Sequence, residues 1–129
     1  MSNVELQPGA AWMAVVRQNG SPEFADAFES GVEIAASVLP QTLVGVQAIG
    51  SVFGATSKMY ESISFTHEAV QGKHTYLSWR ARYRGADVSG ATVLTTADSG
   101  KIASILLLHS PLDVVKSFSV ELQERLTGV

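Results

Sequence analysis

The chain has 129 residues, the length of one domain of ordinary size. Hydrophobic residues make up 46 % of it and charged residues only 16 %, low against the roughly 25 % charged content of a typical soluble domain, so surface is expected to be hidden in a cavity or between chains. The net charge of −3 leaves no basic footprint for nucleic acid or anionic lipid, and the absence of cysteine excludes disulfides, thiolate catalysis and thiolate metal ligands.

The start of the chain, "MSNVELQPGAAW", has no basic segment followed by a long apolar core, so no signal peptide is expected. No apolar run approaches the roughly 20 residues that span a membrane. A cytoplasmic protein is the expectation. From Pro8 to Asn19 the apolar residues Trp12, Val15 and Val16 keep the spacing of one helix face, and Asn19-Gly20 is a stop. "SPEFADAF" predicts a short second helix with Ser21 as N-cap, Pro22 at the first helical position, and Phe24, Ala27 and Phe28 as its buried stripe. Val32, Ile34, Ala36 and Val38 alternate, which predicts a strand, and "PQTLVG" breaks it. From Val46 to Tyr60, Ile49, Val52, Phe53, Met59 and Tyr60 recur at helical spacing. Gly50 and Gly54 weaken that helix by about 1 kcal/mol each relative to alanine, so packing must hold it.

After Tyr60 the period changes to two. Ile63, Phe65, His67 and Ala69 are expected to share one face of a strand. "QGK" is a hairpin turn. Leu77, Trp79, Ala81 and Tyr83 then oppose Tyr76, Ser78, Arg80 and Arg82, and "RGAD" turns the chain again. Ala91 to Thr96 is a third strand, rich in β-branched residues, and "ADSGK" a third turn. The fourth strand, "IASILLLHS", does not alternate: it is apolar on both faces and ends in His109. Ser110 is expected to cap a last helix, with Asp113 three residues on and Val115, Phe118, Leu122 and Leu126 as its apolar stripe. The order is helix, helix, strand, helix, four-strand meander, helix. It predicts a single α+β domain over residues 1–129, with helices gathered on one face of a curved antiparallel sheet.

That order, with "PEFADAF", "LVGVQAIGSVF", "YLSWRARYRG" and "DSGKIASILLLHSPL", resembles the nuclear transport factor 2-like superfamily and its SnoaL-like polyketide-cyclase branch. The resemblance spans nearly the whole chain through loose motifs, so it speaks to fold more than to activity. It implies a cone, cystatin-like in shape, in which the bent sheet wraps helices round a deep apolar pocket. It also implies a homodimer through the outer sheet face. On that frame Ala103, Ile105, Leu107 and His109 face the pocket, and Ile102, Leu106 and Leu108 face outward. Period two adds Leu77, Trp79, Ala81 and Tyr83 on one strand and Gly90, Thr92 and Leu94 on the next, with Trp12 and Tyr60 as aromatic walls from helices.

Two functions fit these residues. One is a small-molecule pocket protein for a hydrophobic, carbonyl-containing or cyclic ligand held by Trp12, Tyr60, Leu77, Trp79, Tyr83, Thr92, Leu94, Ile105 and Leu107. The other is a cyclase, dehydratase or isomerase of the SnoaL-like kind with His109 as acid/base. His67 is a core histidine or a second polar group on the pocket face; His74, beside a turn, is expected in solvent. Scattered histidines without a close carboxylate give no metal site, and no cofactor is expected. The resemblance also implies what is missing. Ketosteroid-isomerase-like relatives carry a base where "ASVLPQ" places Leu39, and an acid where this chain has Thr92. The inward Asp-Arg-Asp set of limonene-epoxide-hydrolase-like relatives has only Arg80, Arg82 and Asp87 as counterparts, and both arginines fall on the outward face.

Overall fold

Glycines, prolines and changes of period place the elements largely where the sequence expects them. The computed structural model describes residues 7–128, and of the N-terminal leader reading residues 1–6 lie outside it. Helix α1 (Ala10–Arg17) ends before Asn19-Gly20, and α2 (Pro22–Asp26) begins at its proline. Ser21 holds the N-cap position of α2, but its hydroxyl turns back and donates to the Gln18 carbonyl at 2.7 Å. Strand β1 (Phe28–Ala36) begins earlier than the alternation suggests, so Phe28 belongs to the strand and not to α2. A short strand β2 (Leu43–Val44) forms inside the segment read as a break. Helix α3 (Val46–Met59) buries Ile49, Val52, Ala55, Thr56 and Met59.

The meander follows as β3 (Ser62–Gln71), β4 (His74–Tyr83), β5 (Ala86–Thr96) and β6 (Ile102–Ser110). The six strands form one sheet in the order β2-β1-β6-β5-β4-β3. The meander pairs are antiparallel, whereas β1 lies parallel to β6, so the sheet is mixed at that edge. Helix α4 (Leu112–Thr127) packs back with Val115, Phe118 and Leu122 buried. Its N-cap is Pro111, not Ser110; the Ser110 hydroxyl donates to the Ser89 carbonyl at 3.4 Å, across the sheet.

Strand β4 alternates as its sequence does: Leu77, Trp79, Ala81 and Tyr83 are buried, while Tyr76, Arg80 and Arg82 are exposed. Two irregularities move side chains to the other face. In β3, Phe65 pairs with Trp79 and His67 with Ser78, which leaves Thr66 unpaired. A bulge of one residue flips every later side chain. His67 and Ala69 therefore face outward, away from Phe65, and Glu68 comes to the inner face opposite Leu77. In β6, Ser104 pairs with Thr95 and Ile102 with Thr96, so Ala103 is the unpaired residue. Ile102 is consequently buried in the core and not on the outer face; Leu106 and Leu108 stay outside, 39 % and 45 % exposed.

The core has two lobes. One gathers Trp12, Phe24, Phe28, Ile34, Ile49 and Leu77 under α1 and α2. The other gathers Val38, Met59, Trp79, Tyr83, Phe118 and Leu122 under α4. Among the described residues no helix is long and apolar enough to cross a membrane, and no group of three or more histidine, aspartate and glutamate side chains could hold a metal.

Candidate functional site

Between the lobes lies a cavity of about 100 Å³. Its floor is the concave sheet face: Trp79 of β4, Thr92 of β5 and Leu107 of β6. Thr92 and Leu107 are direct cross-strand partners. Trp12, Met13 and Val16 of α1 form the roof, Phe53, Thr56, Ser57 and Tyr60 the α3 side, and Ile63 and Phe65 of β3 the mouth. No charged residue lines it. A larger groove, lined by Ser51, Gly54, Lys58 and Arg125 between α3 and α4, is more open to solvent.

The floor is shaped by one glycine. Gly90 is the cross-strand partner of Trp79, and a Cβ at Gly90 would overlap the indole ring. Only glycine lets the ring lie across β5, where its Nε1 donates to the Thr92 hydroxyl at 3.0 Å. Thr92 is 2 % exposed. Its oxygen accepts that bond, and its own O–H has no acceptor among the described residues. The O–H groups of Thr56 and Ser57 donate to carbonyls of their own helix, Phe53 at 3.4 Å and Gly54 at 3.0 Å.

His109 does not line the cavity. It stands behind Tyr60, in an aromatic box with Trp79 and Phe118, and its Nε2 is 2.7 Å from the Tyr60 hydroxyl. The two rings are nearly parallel, with an interplanar angle of 8° and centroids 6.4 Å apart, and meet edge to edge through that contact. Burial lowers its pKa to about 4, so the imidazole is neutral near pH 7. Burial also raises the Tyr60 phenol above its ordinary range, which keeps it protonated. The buried Nδ1 has no partner among the described residues. A buried N–H without a partner is rarer than a bare acceptor, so we assign the proton to Nε2. On this assignment His109 donates to Tyr60, and the Tyr60 O–H is free to donate into the cavity.

The structure thus brings Trp12, Tyr60, Trp79, Thr92 and Leu107 to one cavity and leaves the other residues singled out from the sequence elsewhere. Leu77 and Leu94 line a second depression on the far side of Trp12. Ile105 is packed within the first core lobe. Tyr83 lies at the far end of β4 under α4, where its hydroxyl donates to Glu121 at 2.8 Å. Burial first, then that hydrogen bond, pushes its pKa up to about 12. Glu121 is shared with Arg84 and Arg125, each at 2.8 Å, and the bond from Arg125 chiefly holds its carboxyl below the usual range. That cluster is a brace between β4 and α4. His67 is outside, with Nδ1 3.1 Å from the hydroxyls of Thr66 and Ser78, and His74 contacts the Thr95 hydroxyl at 3.0 Å. Leu39 is half-buried between the two core lobes, and Arg82 pairs with Asp87 at 2.6 Å on the exposed face. Met13, Val16, Phe53, Thr56, Ser57, Ile63 and Phe65 were not anticipated as cavity residues; the periodicities of α1, α3 and β3 mark faces, not which part of a face overlooks a void.

No protein-family model and no curated protein sequence matches the chain. Solved structures do. The chain is similar to a steroid delta-isomerase from Pseudomonas aeruginosa, with a TM-score of 0.81 at 13 % identity over 99 % of this chain and 94 % of that one. A bacterial protein with a cystatin-like fold from Silicibacter pomeroyi gives a TM-score of 0.79 at 17 % identity, over 93 % and 86 %. A protein described as a SnoaL-like polyketide cyclase, from Jannaschia, gives 0.64 at 15 % identity, over 92 % and 96 %. The fold is therefore the α+β fold, with a curved and unclosed six-stranded sheet, of nuclear transport factor 2-like and cystatin-like proteins. Identities this low define the fold alone.

Proposed function

We propose that the cavity binds a small, flat, uncharged molecule that presents a carbonyl oxygen. The observation that carries this reading is the Thr92 hydroxyl. One lone pair of its oxygen takes the Trp79 N–H, and its O–H, without an acceptor among the described residues, is a donor offered to the cavity. Tyr60 offers a second donor on the tautomer assigned to His109. A carbonyl oxygen accepts such bonds; a ligand that only donates leaves these groups unpaired, at a cost of about 1–3 kcal/mol each. The absence of charged walls disfavours an anion or a cation, since a buried charge needs a partner. Size adds a bound: a cavity of about 150 Å³ holds benzene, so about 100 Å³ with an open mouth suits a single ring.

Titration of acetophenone into the protein by calorimetry, with chemical-shift mapping, tests the proposal. Binding with a Kd on the order of 0.1–1 mM is expected for so small a ligand, with shifts at Trp79 and Thr92 and no binding of benzoate. Equal binding of benzoate, or shifts confined to another surface, would overturn it.

A second reading is a cyclase, dehydratase or isomerase in which His109 moves a proton. The 2.7 Å contact to Tyr60 favours it, because Tyr60 lines the cavity. Against it, the imidazole does not line the cavity and reaches it by hydrogen bonding only through that phenol, and a pKa near 4 makes a weak base at neutral pH. An identified turnover that His109→Phe abolishes would reverse the order of the two.

We also propose a homodimer formed through the outward sheet face. Tyr76, Val93 and Leu106 stand side by side across three strands, with Leu108 next to them. Tyr76, Leu106 and Leu108 are all exposed, and contiguous apolar surface of this kind favours a partner. A cytoplasmic location fits a chain without cysteine.

A further inference from the structure

Trp12 is the one residue shared by the cavity described above and a second space beside it. On one side is the cavity described above. On the other is a depression of about 150 Å³, lined by Ala11 and Val15 of α1, Leu77 and Thr75 of β4, Leu94 of β5, and Glu68. The two share a floor. Thr92, in the first cavity, is the direct cross-strand partner of Leu77, in the second. Directly opposed residues have Cβ atoms about 5 Å apart, so the floor runs unbroken from one space into the next. The indole of Trp12 stands over this junction, 5 % exposed, wedged edge-on against Phe53 at 5.4 Å and Phe28 at 6.4 Å.

The helix that carries the indole is pinned at both ends. At its start the Gly9 N–H donates to Glu68 Oε1 at 2.8 Å, and Gly9 lies so close to the Phe65 ring that a Cβ there would overlap it. Beyond its end, Asn19 Nδ2 donates to the Gly50 carbonyl at 3.0 Å. Met13 and Val16 face the first cavity, Ala11 and Val15 the second, and Trp12 points between them.

We propose that Trp12 sets the length of the molecule this protein accepts. With the indole in place the binding space ends at one ring. Removing the indole joins the two spaces along the inner sheet face, from Tyr60 and Thr92 to Leu94 and Thr75. The joined space fits an elongated, uncharged, two-ring carbonyl compound. Its far end meets the Glu68 carboxylate, which excludes an anionic tail. This choice of ligand rests on the carbonyl-binding reading above; the division of the space by Trp12 does not.

The experiment compares the wild type with Trp12→Ala, and with Trp12→Leu, which keeps apolar bulk if the alanine variant fails to fold. Acetophenone and 4-acetylbiphenyl are titrated into each by calorimetry, and crystals of each are pressurised with xenon. Expected is a gain of about tenfold or more for 4-acetylbiphenyl in the variant, as burial of a second ring implies, with acetophenone no tighter than in the wild type. Xenon should occupy two separate sites flanking Trp12 in the wild type and one joined volume in the variant. If acetophenone binds the wild type but 4-acetylbiphenyl binds wild type and variant equally, Trp12 does not limit length and the proposal falls. If neither ketone binds, the carbonyl reading fails and xenon decides: two sites that merge support the division, whereas no xenon on the Leu77 side overturns it.

Discussion

His109 and Tyr60 are joined by a 2.7 Å contact between Nε2 and the phenol oxygen, and that contact is the only polar one the imidazole side chain makes among the described residues. The pair therefore ties β6 to the end of α3 through a histidine that must stay neutral. Burial lowers its pKa from 6.5 to about 4. The unfolded chain binds this proton below about pH 6.5 and the folded chain only below about 4, so the unfolded state holds more protons between those values. Stability is then complete above pH 6.5 and lost as pH falls toward 4, by on the order of 3 kcal/mol for a shift of this size. Urea unfolding at pH 7.0 and 4.5 should show the loss, and His109→Phe should flatten it. An unchanged midpoint in the wild type would show that the imidazole is not desolvated as described.

Gly90→Ala should destabilise the fold although alanine is the better residue for most strands. The new Cβ meets the Trp79 indole, which must shift and give up its bond to Thr92. Overpacking of this kind costs about 1–3 kcal/mol. Chemical denaturation followed by tryptophan fluorescence measures both the loss and the altered indole environment. Stability within about 0.5 kcal/mol of wild type would mean that the ring does not lie across β5.

These two sites also mark what was legible in the sequence. The inward row of β4 was readable because Leu77, Trp79, Ala81 and Tyr83 alternate with polar residues without interruption. The row on β3 was not. A bulge at Thr66 has no mark in "SISFTHEAVQ", yet it sends His67 and Ala69 outward and Glu68 inward. Ile102 failed for the same reason, since the extra residue Ala103 breaks the parity of β6. Parity did place His109 on the inner face. It could not place Tyr60 in front of it, because that depends on where α3 ends against the sheet. The cavity is likewise a product of tertiary packing. Leu94 and Leu107 both face inward, but only the position of Trp12 decides which of them overlooks which space.

Leu106→Glu should weaken the proposed dimer. Leu106 is 39 % exposed in the single chain and stands between Val93 of β5 and Ala35 of β1. A glutamate there would carry a charge into an apolar contact, which costs more than the lost leucine surface alone. Sedimentation velocity at micromolar concentration should show a dimer for the wild type and a shift to monomer for the variant. A wild-type monomer would remove the proposal, as would a dimer indifferent to this substitution.

Thr92→Val separates the role of the hydroxyl from the role of the shape. Valine keeps the branched outline and removes the oxygen, so the cavity walls stay in place. Two consequences follow from the one bond to Trp79 Nε1, 3.0 Å long in the wild type. The first concerns stability: the indole N–H is left buried without an acceptor, at a cost of about 1–3 kcal/mol, visible in urea denaturation. The second concerns binding. If Thr92 donates to a ligand carbonyl, the variant loses a hydrogen bond of about 1 kcal/mol to acetophenone, roughly a five- to tenfold rise in Kd. Ethylbenzene has a similar shape and no acceptor, so its affinity should stay the same or improve as the site becomes less polar. The comparison of the two ligands carries the test, because general loosening of the fold would weaken both. An equal loss for acetophenone and ethylbenzene would show that Thr92 supports the floor through Trp79 and offers the ligand nothing of its own.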